Sequence, residues 1–170
     1  KSYVKTRTGR EEIDAYRIES TELPDLHWIT IKRRRKSIQM AVEYICLDTE
    51  TSHYGLDCAW IYQWAMRIAD TYIYGRTAPE IIRAMEVIRD HYALSDQRKI
   101  MMCIHNASYD IQYLKHYLRI YDPDMEILAT GPHDLLNVDV RGFRIICSYR
   151  LTNLSLAILA KNFAEKYQKA

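Results

Sequence analysis

The chain has 170 residues, of which 48% are hydrophobic and 11% aromatic, which is enough to bury one ordinary core. Its net charge of +2 does not by itself indicate a nucleic-acid partner, because basic binding domains carry a larger excess. No apolar stretch is long enough to span a membrane, and the chain does not open with a signal peptide. We therefore expect a cytoplasmic protein without a membrane partner.

The cysteines and tryptophans predict a buried structural role. No Cys-x-x-Cys spacing occurs among the four cysteines, which are Cys46, Cys58, Cys103 and Cys147. A zinc site is therefore not expected, and the thiols are predicted to be small buried side chains in a reducing compartment. Trp60 and Trp64 are predicted to pack in the core.

The first part of the chain is charged and irregular. Residues 28–31 alternate like a strand and lead into five consecutive cations at residues 32–36. Such a run could contact phosphates or form a solvated loop, and both interpretations stay open. We predict a basic N-terminal extension over residues 1–43 and one domain over residues 44–170.

Three strands open the predicted domain, over residues 44–48, 59–69 and 71–74, and we expect them to be antiparallel. Pro79, preceded by Thr77, then begins a helix with a periodic apolar face.

A second strand-to-helix unit follows. The apolar run at residues 99–104 predicts a buried strand. From Tyr109 onward, apolar residues recur at helical spacing and predict a helix. Asn106 or Ser108 is the predicted cap of that helix, which leaves Asp110 in its first turn, where the helix dipole favours a carboxylate.

The remaining elements are a hairpin and a closing helix. Residues 134–140 and 143–147 predict the hairpin, and residues 155–163 predict an amphipathic helix capped by Asn153 or Ser155. Strands followed by alternating helix and strand predict a mixed α/β fold with helices on the sheet.

Two carboxylates close a predicted strand, and a third opens a predicted helix. Asp48-Thr49-Glu50 closes an apolar run, and Asp48 and Glu50 should project together because strand residues two apart point the same way. Asp110 opens a helix 62 residues after Asp48. Hydrolysis of phosphodiesters uses oxygen ligands of this kind to hold two metal ions about 4 Å apart. The pattern predicts a nuclease with two Mg²⁺ or Mn²⁺ ions.

The two motifs resemble a known family. Residues 45–52, Ile-Cys-Leu-Asp-Thr-Glu-Thr-Ser, resemble the first exonuclease motif of B-family DNA polymerases, and residues 105–110, His-Asn-Ala-Ser-Tyr-Asp, resemble the second. Within that family the chain is similar to bacteriophage-type, often protein-primed, polymerases over about residues 44–163. The resemblance implies a ribonuclease H-like mixed sheet with flanking helices, encoded by a phage or prophage and acting in the bacterial cytoplasm.

The resemblance also implies roles for the matching residues in a 3′→5′ proofreading exonuclease. Asp48, Glu50 and Asp110 would be the catalytic metal ligands. Asn106 and Tyr109 would contact the unpaired 3′ end of single-stranded DNA.

Further substrate contacts are implied in the same way. Thr51 would help to hold the terminal nucleotide. The family also has a Ser-Leu-x-x-hydrophobic motif, which binds single-stranded DNA or a terminal priming protein. Ser155-Leu156 fits the spacing of this motif, and Ser148-Tyr149 is the alternative that stays open. The other implied partner is the remainder of the polymerase chain.

One part of the family pattern is missing. Its third motif, Tyr-x-x-x-Asp, supplies a fourth carboxylate and a tyrosine that orients the attacking water, and none follows Asp110. Tyr92-x-x-x-Asp96 has the spacing but precedes the second motif, so we treat it as chance. No polymerase palm sequence is present either. We expect an N-terminal fragment of a longer polymerase that is weak or inactive alone, because losing a ligand disrupts the metal site.

Two other functions fit the same residues. A stand-alone proofreading exonuclease that uses a histidine has a similar second motif and ends with His-x-x-x-x-Asp, a spacing that His105 and Asp110 share within the second motif. The other is a non-catalytic module that binds single-stranded nucleic acid, supported by the basic run and the 14 tyrosines. Magnesium binding separates the enzyme from the module.

Overall fold

The computed structural model describes residues 4–5, 11–14, 23–33, 36–54, 58–131 and 134–163. Its strands are β1 (Val4–Lys5), β2 (Glu11–Asp14), β3 (Trp28–Arg33), β4 (Lys36–Tyr54), β5 (Cys58–Ile68), β6 (Thr71–Gly75), β7 (Arg98–Ile104), β8 (Glu126–Ala129), β9 (Leu135–Val140) and β10 (Phe143–Cys147). The helices are α1 (Ala78–Tyr92), α2 (Ala107–Tyr121), α3 (Ser148–Thr152) and α4 (Leu156–Phe163). None of the helices in these ranges is long and apolar enough to cross a membrane.

The strands form one mixed sheet in the order β1-β2-β6-β5-β4-β7-β10-β9-β8, with β3 also paired to β4. β4, β5 and β6 are consecutive antiparallel neighbours, as predicted. β7 pairs parallel with β4, and β10 pairs parallel with β7. The mixed α/β class is confirmed.

One face of this sheet carries the core. Ile45 and Leu47 on β4 are buried, while Cys46 and Asp48 between and after them are exposed. α1 and α2 contact each other and contribute to the same buried cluster as these strand residues. Each buried aliphatic side chain contributes roughly 1.5–3 kcal/mol to folding. We call the helix-covered side the helical face and the opposite side the open face.

The open face overturns two predictions. Cys147 and Trp64 are buried, as expected, but Cys46 and Trp60 are exposed and Cys103 is half-buried. The predictions failed because these side chains occupy alternate strand positions, which point away from α1 and α2.

β4 is far longer than predicted. The sequence placed a strand end at Asp48, but the strand runs from Lys36 to Tyr54, since β3 pairs with its first part and β5 with its last. The strand predicted at residues 28–31 is confirmed as part of β3. The position between residues 43 and 44, where we placed the domain boundary, lies inside β4, and the division into domains stays a prediction.

The α1 start, the hairpin of β9 and β10, and the position of Asn106 as the cap residue of α2 match prediction. Asn106 precedes α2 in the left-handed region (φ 58°), and its side chain makes no capping bond. Ser108 Oγ instead accepts a hydrogen bond from the Leu135 backbone N–H at 3.1 Å. At α4 the prediction of Ser155 holds, since its Oγ accepts from Ile158 N–H at 3.4 Å. β8 and α3 were not predicted.

A close approach at Gly75 yields a stability prediction. A Cβ at this position would lie 2.4 Å from Glu80 Oε2 and 2.6 Å from the Trp64 ring. Gly75→Ala should therefore lower the free energy of unfolding by about 1–3 kcal/mol through overpacking, measured by urea denaturation. Gly131→Ala is the control, because its nearest neighbour is 3.7 Å away. Equal stability of the two variants would contradict the packing at Gly75.

Candidate active site

The two acidic motifs meet where the pairing of β4 with β7 ends. The last pair is Leu47 with Ile104, after which β7 turns into α2 while β4 continues beside β5. Since β4 and β7 are parallel, the residues that follow this pair lie at one edge of their ladder. Ligand sites of open α/β sheets lie outside the carboxyl ends of the strands.

A buried hydrogen bond joins the motifs. Thr49 points to the helical face, and its Oγ1 donates to Asp110 Oδ1 at 2.5 Å. Asp110 is only 4% exposed, in the first turn of α2. The bond therefore holds a buried carboxylate of the second motif against the middle residue of the first.

The environment of Asp110 favours its neutral form. Burial raises the pKa of Asp110 to about 6, and repulsion from the nearby Asp48 and Glu50 adds to the effect, while the bond from Thr49 opposes it. The carboxylate is therefore short of compensating positive charge at this edge of the sheet.

Asp48 and Glu50 point to the open face, on the side of β4 opposite to Thr49. They share a face, as the strand period requires. Across the part of the chain that the structure describes, no group of three or more His, Cys, Asp and Glu side chains is placed to hold a metal ion. Carboxylates are the ligand type that a hard divalent cation requires, but here Asp48 and Glu50 lie on the side of β4 opposite to the Thr49–Asp110 bond.

The residues predicted to hold the 3′ end lie beside these acids. Thr51 Oγ1 and Tyr109 Oη are 2.5 Å apart, which gives β4 and α2 a second cross-link. Tyr113, which the sequence did not predict as part of the site, also lies here, and its ring meets that of Tyr109 edge-on at 5.3 Å. The only signal for it was the spacing of four residues on one helix. Asn106 is exposed at the turn before α2.

α3 brings one of the two alternative serine motifs to the same edge. Ser148 Oγ lies 3.2 Å from His105 Nδ1, and the Tyr149 ring meets the His105 ring edge-on at 5.6 Å. Ser155, in contrast, bonds within its own helix, and Leu156 is exposed. The structure thus brings Ser148 and Tyr149, and not Ser155 and Leu156, next to the second motif.

Fold and site together define an α/β domain with acidic residues at the carboxyl edge of its parallel strands. No protein-family model matches the chain, and no curated protein matches it. Solved structures of phi29 DNA polymerase do share its fold. The complex with single-stranded DNA has a TM-score of 0.59 at 11% identity, over 75% of this chain and 25% of the polymerase.

A second phi29 DNA polymerase structure, with primer–template DNA and incoming nucleotides, has the same TM-score and identity over 75% of this chain and 24% of the polymerase. The chain thus spans about a quarter of the polymerase it matches. At 11% identity this likeness establishes the fold alone.

The raised pKa of Asp110 makes a prediction about stability and pH. The folded value of about 6 exceeds the unfolded value of about 3.9, so the folded state binds more protons between them. The contribution of Asp110 to stability is therefore most favourable below about pH 4 and is lost as pH rises through 6. Without divalent metal, the free energy of unfolding of Asp110→Asn should rise relative to that of the parent chain as the pH goes from 4 to 7, by on the order of 1–3 kcal/mol.

Urea denaturation in EDTA across this pH range measures the difference. Asp124→Asn, at an exposed acid, is the matched control and should change the free energy of unfolding by less than about 0.5 kcal/mol. If the difference in free energy of unfolding between Asp110→Asn and the parent chain does not change with pH, the raised pKa of Asp110 is contradicted.

Proposed function

We propose that this chain is the 3′→5′ exonuclease part of a phage-type B-family DNA polymerase, with a ribonuclease H-like sheet, acting on the 3′ end of single-stranded DNA. The observation that carries the proposal is the Thr49–Asp110 hydrogen bond, because it joins the two resembling motifs in space. The fold shared with part of phi29 DNA polymerase supports it. A terminal priming protein and the remainder of a polymerase chain are the further partners of this proposal.

In this proposal Asp48, Glu50 and Asp110 hold two Mg²⁺ or Mn²⁺ ions. When bound, the ions would activate the attacking water and stabilise the leaving oxygen. The chain's own contribution is to keep Asp110 buried and oriented through Thr49, and to present Asp48 and Glu50 on one face. Because no Tyr-x-x-x-Asp follows Asp110, hydrolysis by this chain alone is proposed to be weak or absent.

The 3′ nucleotide would contact Thr51, Asn106 and Tyr109. Thr51 and Tyr109 already bond to each other, so a nucleotide at this point meets both motifs at once. For the serine motif we propose Ser148-Tyr149, since His105 links it to the second motif.

Metal binding tests the site independently of activity. We expect the chain to bind Mn²⁺ in a titration followed by electron paramagnetic resonance. Asp48→Ala, Glu50→Ala and Asp110→Ala should each weaken this binding at least tenfold, because each removes a charged ligand. Asp124→Ala, at an exposed acid, should leave the affinity unchanged.

The complete natural polypeptide tests the reaction. Single-stranded DNA labelled at its 5′ end should shorten from the 3′ end with Mg²⁺, and Asp48→Ala should reduce the rate at least a hundredfold. A chain that binds single-stranded DNA but no Mn²⁺ would instead be the non-catalytic module.

The serine motif is tested by a matched pair of variants. Ser148→Ala should weaken binding of single-stranded DNA in EDTA about three- to tenfold by removing a hydrogen bond at the site, while Ser155→Ala should leave it unchanged. Circular dichroism checks that both variants stay folded. If only Ser155→Ala loses binding of single-stranded DNA, the serine motif is Ser155-Leu156 instead.

A further inference from the structure

Two of the four cysteines are neighbours on the open face. Cys46 on β4 and Cys103 on β7 are register partners in the parallel ladder of these strands. The residues before and after each of them are buried on the helical face, so both thiols point to the open face. Cys46 is exposed, Cys103 is half-buried, and both are free thiols. The fold therefore brings together two thiols that are far apart in the sequence.

The distance between these thiols suits a covalent bridge. Register partners on neighbouring strands lie one strand spacing apart, about 4.8 Å. The Cα atoms of a disulfide are roughly 4.4–6.8 Å apart, so this pair lies within that range. Its Cβ atoms must come slightly closer than the strand spacing, to at most about 4.5 Å, which strains the bridge. Strained and exposed disulfides are the ones that thiols reduce readily, so a bridge here would be reversible.

The surroundings of the two thiols differ in access. A cavity of about 150 Å³ lies beside Cys46, and its other lining residues are Glu43, Tyr44, Arg67 and Ala69. Cys103 does not line this cavity. Burial raises the pKa of Cys103 to about 11, and the neighbouring Cys46 adds to the rise. A small reagent therefore reaches Cys46 first, and Cys103 is the second thiol to react.

The strand register distinguishes this pair from the other two cysteines. Cys147 is buried and pairs with Ile104, and Cys58 pairs with Tyr54. Cys46 and Cys103 are the two cysteines that the described strands place in register with each other.

We propose that Cys46 and Cys103 form a reversible redox site, which a low-molecular-weight disulfide such as oxidised glutathione converts into a disulfide bridge. The Cys46 sulfur loses its proton to solvent and attacks one sulfur of the reagent, which releases one glutathione thiolate. The Cys103 sulfur then loses its proton and attacks the Cys46 sulfur, which releases the second. The protein gives up two electrons and two protons, and the reagent becomes two thiols.

The bridge would lie directly before the point where the two acidic motifs leave the sheet. Leu47 and Ile104 form the last pair of the β4–β7 ladder, and the two cysteines form the pair before it. Oxidation would therefore link the two strands that carry the motifs. The site does not depend on the proposed exonuclease, because its chemistry involves the thiols alone.

Thiol counting tests the site on the full chain. The folded chain is incubated with oxidised glutathione at mildly alkaline pH, and its free thiols are then counted after denaturation. Two of the four thiols should be lost, and the mass should fall by two hydrogen atoms. Peptide mapping should find Cys46 linked to Cys103, and dithiothreitol should restore both thiols in the folded chain. Cys58→Ser and Cys147→Ser are the controls, and both should still form this bridge.

The variant Cys103→Ser separates the two steps. Its reaction should stop at the mixed disulfide, so its mass should rise by one glutathione on Cys46. The same rise in the parent chain would overturn the proposal, because Cys103 would then not reach Cys46. Retention of all four thiols by the parent chain, or a bridge that maps to Cys58, to Cys147 or between two chains, would overturn it as well. Circular dichroism checks that each variant stays folded.

Discussion

The site depends on the point at which β4 and β7 stop pairing. Up to Leu47 and Ile104 their parallel ladder fixes the relative position of the two motifs. Beyond that pair, the buried Thr49–Asp110 hydrogen bond holds the two motifs together. Without that bond, Asp110 would lose the stronger of the two hydrogen bonds that offset the burial of its carboxylate, the other being with its own backbone N–H.

β4 has two chemically different sides as a consequence. Thr49 and Thr51 point to the helical face and bond to Asp110 and Tyr109 of α2. Asp48 and Glu50 point to the open face, where described helices do not cover them. One strand presents both sets on its two faces, so the threonines position the helix while the acids stay accessible to a ligand.

The sequence predicted most elements because their signals are local. Periodic apolar residues and Pro79 mark α1, and Asn106 and Asp110 mark a strand-to-helix turn. It mispredicted the end of β4 because long-range pairing with β3 and β5 extends that strand, and such pairing leaves no signal in the local pattern. The sequence also predicted that Trp60 packs in the core, but this residue is exposed. Hydrophobicity does not indicate which face of a sheet lacks a covering helix.

The same limit explains why the serine motif stayed open in the sequence. By sequence Ser155-Leu156 fits the spacing of the motif and Ser148-Tyr149 fits the family's order less well, whereas the parallel pairing of β10 with β7 brings Ser148 to the second motif. That pairing ends at Cys147 and Ile104, so the next residue of each strand, Ser148 and His105, must emerge side by side. The short helix α3 begins at this point. Ser155 lies beyond it, in a helix that the register of the sheet no longer positions.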